Sequence, residues 1–422
     1  MFRRGMFYAY LSVYLRYYLH LSVTETTLFA TLPMLANILF QATLWGRLSD
    51  RFQLRRTLIV WGEILGGLGT IAVWYAHTLP ETHHRMGYVI IVGLTVVEAF
   101  WSMSNIGWSA LISDLYPPGA RAALQGKLTS IGGIGRIAGV WIGGLLYDGL
   151  GRYYDGWGFE HGALFFVASG VMFLSTLPLL TLPEGGAVPE AETNGAPQMS
   201  SSGQSARWFA IFLVAMAFIN FGRNSVVIIQ SQYLFLETGF AVSSRMLSYI
   251  VNTESLAMIL AGLAAGRLVR WMGNGPGVLL GTTFSLAYLL IFMTTSHLSL
   301  IYVGSFLKGC AEGIIMAAAY AFASILIPPA QRGRRFGLFN ATFFLSWGLA
   351  GTLIAGPLVD LLQRSGHTAE AAYRWSYGAA VLLTLSGVVL LVFLVYFFMP
   401  RDDTAGRSDP AVPGANQRLE RT

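Results

Sequence analysis

Long apolar runs alternate with short polar breaks along almost the whole chain. A helix needs about 20 such residues to cross the hydrocarbon core of a bilayer. Twelve runs can be counted, with cores opening near Met6, Thr26, Thr57, Gly87, Leu128, Gly162, Trp208, Leu247, Gly277, Leu300, Phe336 and Trp375. One long polar break, Pro183 to Arg207, separates the sixth run from the seventh. It is rich in Pro, Gly, Ser and Glu, a composition that cannot form a packed core and reads as a flexible linker. The expected architecture is an all-α integral membrane protein. Twelve transmembrane helices form two six-helix bundles, residues 1–183 and 207–400, joined by a linker at 184–206 and followed by a disordered tail at 401–422.

Composition agrees. Only 11% of the residues are charged and 54% are hydrophobic, against about 25% and 45–50% in soluble domains. A single cysteine, Cys310 in an apolar run, excludes an internal disulfide framework and a multi-cysteine metal site. The formal charge of +6 does not point to nucleic acid, because the arginines lie between apolar runs. The first run has no small-residue cleavage site and does not read as a signal peptide.

Short-loop Lys and Arg set orientation. The loops from even to odd helices hold Arg47, Arg51, Arg55, Arg56, Arg121, Lys127, Arg267, Arg270, Arg332, Arg334 and Arg335. The opposite loops hold Arg85, Arg152, Arg245, Arg364 and Arg374. Both termini are therefore expected in the cytoplasm of a cell (inner or plasma) membrane.

The chain also repeats itself. Pro117-Pro118-Gly119-Ala120-Arg121, with Gly126 five residues later, returns 211 residues on as Pro328-Pro329-Ala330-Gln331-Arg332, with Gly337 five residues later. Gly46-Arg47-Leu48 has a weaker echo in Gly266-Arg267-Leu268. Gly139, Gly144 and Asp148 fall opposite Gly351, Gly356 and Asp360. Parallel repeats of this kind put a binding site between the halves near the bilayer midplane. Aligning Gly5 with Gly222 leaves the first helix short at its start. Either part of it precedes Met1, or it is a short, partly inserted helix.

Twelve spans, two repeated halves and the loop Gly46–Arg56 together resemble the major facilitator superfamily of secondary transporters. The family pattern G-x-x-x-D-R-x-G-x-R-R is met by Gly46, Asp50, Arg51, Arg55 and Arg56, with Gln53 in place of the second glycine. Gly46 is expected to let helix two approach a neighbour. The resemblance implies a gate in which Asp50 locks against the start of helix eleven near Gly337. An anion at a helix N-terminus is worth about 1 kcal/mol, up to about 2 when partly buried. In helix five, Gly126, Gly135, Gly139, Gly143 and Gly144 resemble a drug/proton antiporter pattern, with Val140 where that pattern has proline. Close helix packing explains the same glycines without antiport. Span four also lacks the arginine of the antiporter pattern.

Ionisable groups at mid-span are costly and mark function by default. Glu98, Glu312 and Glu254 are the candidates for proton coupling. Trp101, Asn105, Arg136, Asn220, Arg223, Asn224 and Lys308 are candidates for the cavity and substrate. Lys308 and Glu312 stand at i,i+4 and can pair. Arg136 and Glu254 can pair across the halves, or each can satisfy backbone carbonyls. Glu98 has no cation within a turn on its own helix, and Glu63 reads as structural. Tyr10, Tyr14, Phe100, Trp108, Gln230, Asn252 and Tyr320 add aromatic and polar surface suited to an amphipathic solute, or else face lipid. His83 and His84 read as a solvated loop.

No phosphate-binding loop, metal cluster or nucleophile–base spacing is evident, so no cofactor is expected and the chain does not read as an enzyme. It reads as a monomeric secondary transporter, driven by protons, for a small organic solute. Efflux of drug-like amphiphiles is the leading expectation and uptake of a sugar or organic acid the alternative. A transport-dead sensor is the alternative of another class.

Overall fold

The computed structural model describes residues 1–115, 118–151, 156–185, 203–327 and 332–398. All twelve expected helices are present among them. In the first half, α1 is Phe2–Val13 with a π-helical turn Tyr14–Tyr18, and α2 is Val23–Phe40, continued through a π-turn Gln41–Trp45 and Gly46–Phe52. There follow α3 (Arg55–His77), α4 (His83–Leu115), α5 (Pro118–Leu146) and α6 (Ala163–Leu179). In the second half, α7 is Gly203–Ser225, broken and resumed as Ile229–Phe235; then come α8 (Ser244–Met272), α9 (Asn274–Thr294) and α10 (Leu298–Leu326). α11 runs as Arg332–Ala350, a π-turn Gly351–Ala355 and Gly356–Arg364, and α12 as Ala369–Phe393 with Leu394–Phe398. Helix α7 begins at Gly203, inside the segment read as linker; residues 186–202 and the tail from 399 lie outside the described residues.

Several helix starts are written locally. Ser22 accepts from the Glu25 N–H while Glu25 reaches back to the Ser22 N–H, a reciprocal capping box for α2. Ser243 caps α8 through the Met246 N–H, and Thr368 caps α12 through the Ala371 N–H. Helix α3 has no such residue: its Leu54 N-cap gives no side-chain bond. Glu184, beyond α6, does the work instead. Its carboxylate accepts from the Thr57 N–H at 2.9 Å and the Thr57 hydroxyl at 3.0 Å, and pairs with Arg56 at 3.2 Å.

Packing repeats between the halves. In the first, α1 packs on α5, α2 on α4, and α3 on both α4 and α6. In the second, α7 packs on α11, α8 on α10, and α9 on both α10 and α12. The halves meet along two seams, α2 with α11 and α5 with α8. Large apolar side chains on the outside stay exposed, among them Leu263, Trp271 and Leu382. A bilayer solvates such a surface, whereas water would not. Nine helices are long and apolar enough to cross a membrane by length and composition among the described residues, and α6 and part of α5 form shorter apolar helices.

Glycine allows the closest helix contacts, both inside the first half and at the seams, because no other residue admits so close a backbone. A Cβ at Gly139 would strike the Phe2 carbonyl of α1, and one at Gly144 would lie 2.8 Å from Ser248 Cβ of α8. Gly143 faces the Tyr10 ring and Gly135 lies loosely beside Phe2. Gly126 lies in α5, in a stretch whose side chains fall outside the described residues. Val140, at the proline position of the pattern, is buried and its carbonyl accepts the Tyr10 hydroxyl at 2.9 Å. Two expectations change. Gly5 rests on Arg136 of α5 whereas Gly222 rests on Ala380 and Thr384 of α12, so these aligned glycines meet different neighbours. A Cβ at Gly46 would meet only the Gln41 carbonyl of its own helix, within 4 Å. Among the described residues, Gly46 thus relieves crowding at the π-turn of its own helix.

Candidate functional site

Three clusters of buried charge lie in the bundle. The first gathers on Glu98 of α4. Arg3 of α1 pairs with its carboxylate at 3.2 Å, Arg4 stands at 3.8 Å, and the Asn37 amide of α2 donates at 2.8 Å. The Arg3 guanidinium also lies 4.4 Å from the centre of the Trp101 ring, and Arg4 5.2 Å from it, within cation–π range. Trp101 is itself fixed from below: its indole N–H donates to Glu63 at 2.9 Å, and the Ser104 hydroxyl donates to the same carboxylate at 2.7 Å. Glu63 is therefore structural, as expected, and what it holds is the aromatic platform of the site. A small cleft of about 30 Å³ opens here, lined by Arg3, Arg4, Phe7, Tyr8, Leu11, Phe29, Pro33, Leu94 and Glu98. Asn105 is half-buried two turns along α4.

The second cluster joins the halves. Glu254 of α8 pairs with Arg136 of α5 at 3.1 Å and with Lys308 of α10 at 2.9 Å. Lys308 also donates to Gln230 in the turn that resumes α7, at 2.7 Å. The third cluster lies within the second half. Arg223 of α7 pairs with Glu312 of α10 and donates through Nε to Asn220 at 3.1 Å. Its guanidinium faces the Phe343 ring at 5.4 Å, and its Nη2 is buried without a hydrogen-bond partner. Asn220 and Asn224 continue the polar line to Thr342 and Ser346 of α11, at 3.3 and 2.9 Å.

These geometries revise the expected pairings. Lys308 and Glu312 share a face of α10, but Lys308 turns to α8 and Glu312 to α7. Glu98, which has no cation on its own helix, draws two from α1. The bond between Arg136 and Glu254 across the halves is present. Several aromatic candidates leave the site. Tyr10 and Tyr14 are fully buried in packing, with Tyr14 stacked on Tyr18 and Phe159. Phe100 and Tyr320 are exposed, with Tyr320 stacked on Phe336 of α11.

Sequence reasoning passed over Arg3, Arg4 and Asn37. It also passed over Gln232, whose amide donates to Thr26 of α2 at 2.8 Å while its oxygen accepts the Tyr373 hydroxyl of α12 at 3.0 Å.

In the loop between α2 and α3, the side chain of Asp50 lies outside the described residues, and with it the expected lock on α11. Among the described residues, none lies within 4 Å of where a Cβ at Gly337 would be. Arg51 is exposed. Arg55 is buried, donating to the Ser49 hydroxyl and to Gln53 Oε1 at 3.1 Å. Gln53, at the family's glycine position, takes a left-handed φ of 54°, so the turn keeps the tight conformation that glycine would allow more cheaply.

Two six-helix halves in parallel repeat, with ionisable side chains gathered at and beside their seams, define a secondary membrane transporter and not an enzyme. The Major Facilitator Superfamily model matches residues 1–230 and 208–420. The chain belongs to that superfamily. It is 26% identical to the maltose permease of Geobacillus stearothermophilus over 423 residues, covering 96% of this chain and 93% of that one. Among solved structures it is similar to a bacterial homologue of the human lysosomal transporter Spinster in an inward-facing, unoccupied conformation (TM-score 0.69, 16% identity, 93% of each chain). It is likewise similar to a D-xylose–proton symporter (TM-score 0.68, 16% identity, 94% of this chain and 96% of that one).

Proposed function

We propose that the protein takes up a small hydroxylated solute of the sugar class together with a proton, by alternating access, with both termini in the cytoplasm of the cell membrane and as a monomer. The observation that carries this reading is the cluster on Glu98. One carboxylate lines a cleft and is held there by α1 and α2, with Arg3 and Arg4 also lying over the Trp101 ring. Paired Arg–Glu and amide groups offer donors and acceptors side by side, and the Phe7, Tyr8 and Phe29 rings that line the cleft suit the apolar face of a sugar ring. Protonation of Glu98 would release Arg3 and Arg4, which ties a proton to the position of α1. The likeness to a maltose permease supports uptake. Of the α5 glycines behind the efflux expectation, Gly139 and Gly143 pack against α1 and Gly144 against α8, which supports reading these three as packing residues.

The test is uptake of a labelled panel of mono- and disaccharides into liposomes holding the purified protein, with and without an imposed pH gradient. The expected result is gradient-driven accumulation of at least one sugar. With Glu98→Gln, accumulation should vanish while sugar-for-sugar exchange persists. Absence of any sugar flux overturns the substrate class, and a Glu98→Gln protein that still accumulates sugar overturns the role of Glu98.

A further inference from the structure

The repeat Gly-x4-Gly-x3-Asp occurs once in each half, as Gly139, Gly144 and Asp148 and as Gly351, Gly356 and Asp360. Both copies end a helix at the bundle end remote from the termini, and both aspartates reach the other half. Asp360 accepts from the N–H groups of Val23 and Thr24, at 2.9 and 2.8 Å. These are the first two amides of α2. The third is taken by Ser22, so an aspartate of the second half completes the cap of a helix in the first. Asp148 accepts from the hydroxyl of Ser244, the first residue of α8, at 2.9 Å, while Ser243 caps the amide two residues further on. An anion at a helix N-terminus is favoured by the unpaired amides and the helix dipole.

The glycine one turn before each aspartate makes the reach possible. A Cβ at Gly356 would lie 2.8 Å from Thr24 Cα, and one at Gly144 would lie 2.9 Å from the Ser244 carbonyl. From these points the seams stay closed for about two turns. Thr27 and Thr31 of α2 each meet Thr352 of α11 at 2.7 Å, and Arg136 meets Glu254 on the other seam. Toward the terminal end the seams thin among the described residues: Gly337, Ile131 and Ile134 are exposed, while Gly133 still packs on Ile259 of α8.

We infer that Asp148 and Asp360 are two pseudo-equivalent latches that hold the remote end of the transporter shut, Asp360 by capping α2 and Asp148 by holding the Ser244 hydroxyl at the start of α8. The contacts bind the closed arrangement only, so they set the ratio of closed to open at that end. Charge–terminus interactions of this size move such a ratio by on the order of tenfold when both are removed. The inference rests on alternating access but not on the identity of the solute.

The experiment reads distance and not transport. Spin labels are placed at Thr82→Cys and Ser299→Cys, exposed residues at the remote ends of α4 and α10, in a Cys310→Ser background and in lipid nanodiscs. The latched protein should give a short-distance population. In D148N/D360N the ratio of long- to short-distance populations should rise by on the order of tenfold, and G356A, which pushes α2 away sterically, should move it the same way. If the double substitution does not survive purification, D360N and G356A singly carry the test. Folded variants with an unchanged distance distribution would overturn the inference, whether or not the protein carries sugar.

Discussion

Removing Glu254 should cost far more than removing either of its cations. Glu254 is the sole anion between Arg136 at 3.1 Å and Lys308 at 2.9 Å, and the side chains of Glu254 and Lys308 are each only 12% exposed. Unit charges about 4 Å apart interact by about 4 kcal/mol at an effective dielectric of 20. Breaking a buried pair from one side typically costs about 3–5 kcal/mol, because the survivor is stranded. Glu254→Gln strands two cations beside each other and should destabilise the fold by at least about 3 kcal/mol. Lys308→Gln leaves Glu254 paired with Arg136, and Arg136→Gln leaves it paired with Lys308, so each should cost about 1 kcal/mol. The double variant E254Q/K308Q strands only Arg136, which is 29% exposed and can be solvated. It should therefore be more stable than E254Q alone by about 1 kcal/mol or more, a coupling opposite in sign to additivity. Thermal unfolding of the four proteins in one detergent gives the order. If Lys308→Gln is as damaging as Glu254→Gln, or the double variant is the least stable of all, the single-anion account is wrong.

Three further outcomes follow from local geometry. Gln53→Gly should be neutral or slightly stabilising, because it relieves a left-handed φ worth about 1–2 kcal/mol but loses the bond to Arg55. Gln53→Val, β-branched in that conformation, should lower the unfolding midpoint, and equal midpoints would contradict the assigned turn. Glu184→Ala should cost about 1 kcal/mol by uncapping α3 and freeing Arg56, and Glu184→Gln should recover part of it in the same melt. Gly139→Ala should lower stability by about 1–3 kcal/mol as the new methyl meets the Phe2 carbonyl; a protein with normal stability but altered proton flux would instead favour the antiport reading of that glycine.

Much of the fold is legible because the bilayer demands long apolar helices and leaves few alternatives. Ser22, Ser243 and Thr368 sit at the starts they cap, and Gly144, Gly351 and Gly356 fall on the seams. The mid-span charges are legible as a set, yet their pairings are not. Lys308 and Glu312 have the spacing of a helical ion pair, worth about 0.2–0.5 kcal/mol on an isolated helix. Carboxylates and guanidinia on neighbouring helices outbid so weak a preference, and spacing along one chain carries no record of neighbours. Arg3 and Arg4 read as flanking charge because they open a helix. The missing counter-charge of Glu98 was the signal that something distant had to supply one. Gln53 is a different case: it stands where the pattern has glycine, yet its backbone keeps the left-handed conformation that glycine would adopt more cheaply.

The two aspartate contacts at the remote end differ in one respect that bears on how such a protein can change over generations. Asp360 holds main-chain N–H groups of α2, which every residue except proline presents, so almost no single substitution at Val23 or Thr24 can delete that partner. Asp148 holds a hydroxyl of α8, and one nucleotide change at the Ser244 codon can remove it. A duplicated ancestor thus left one copy nearly immune to mutation on its receiving side and the other open to adjustment, giving inheritance a fine control beside a fixed one.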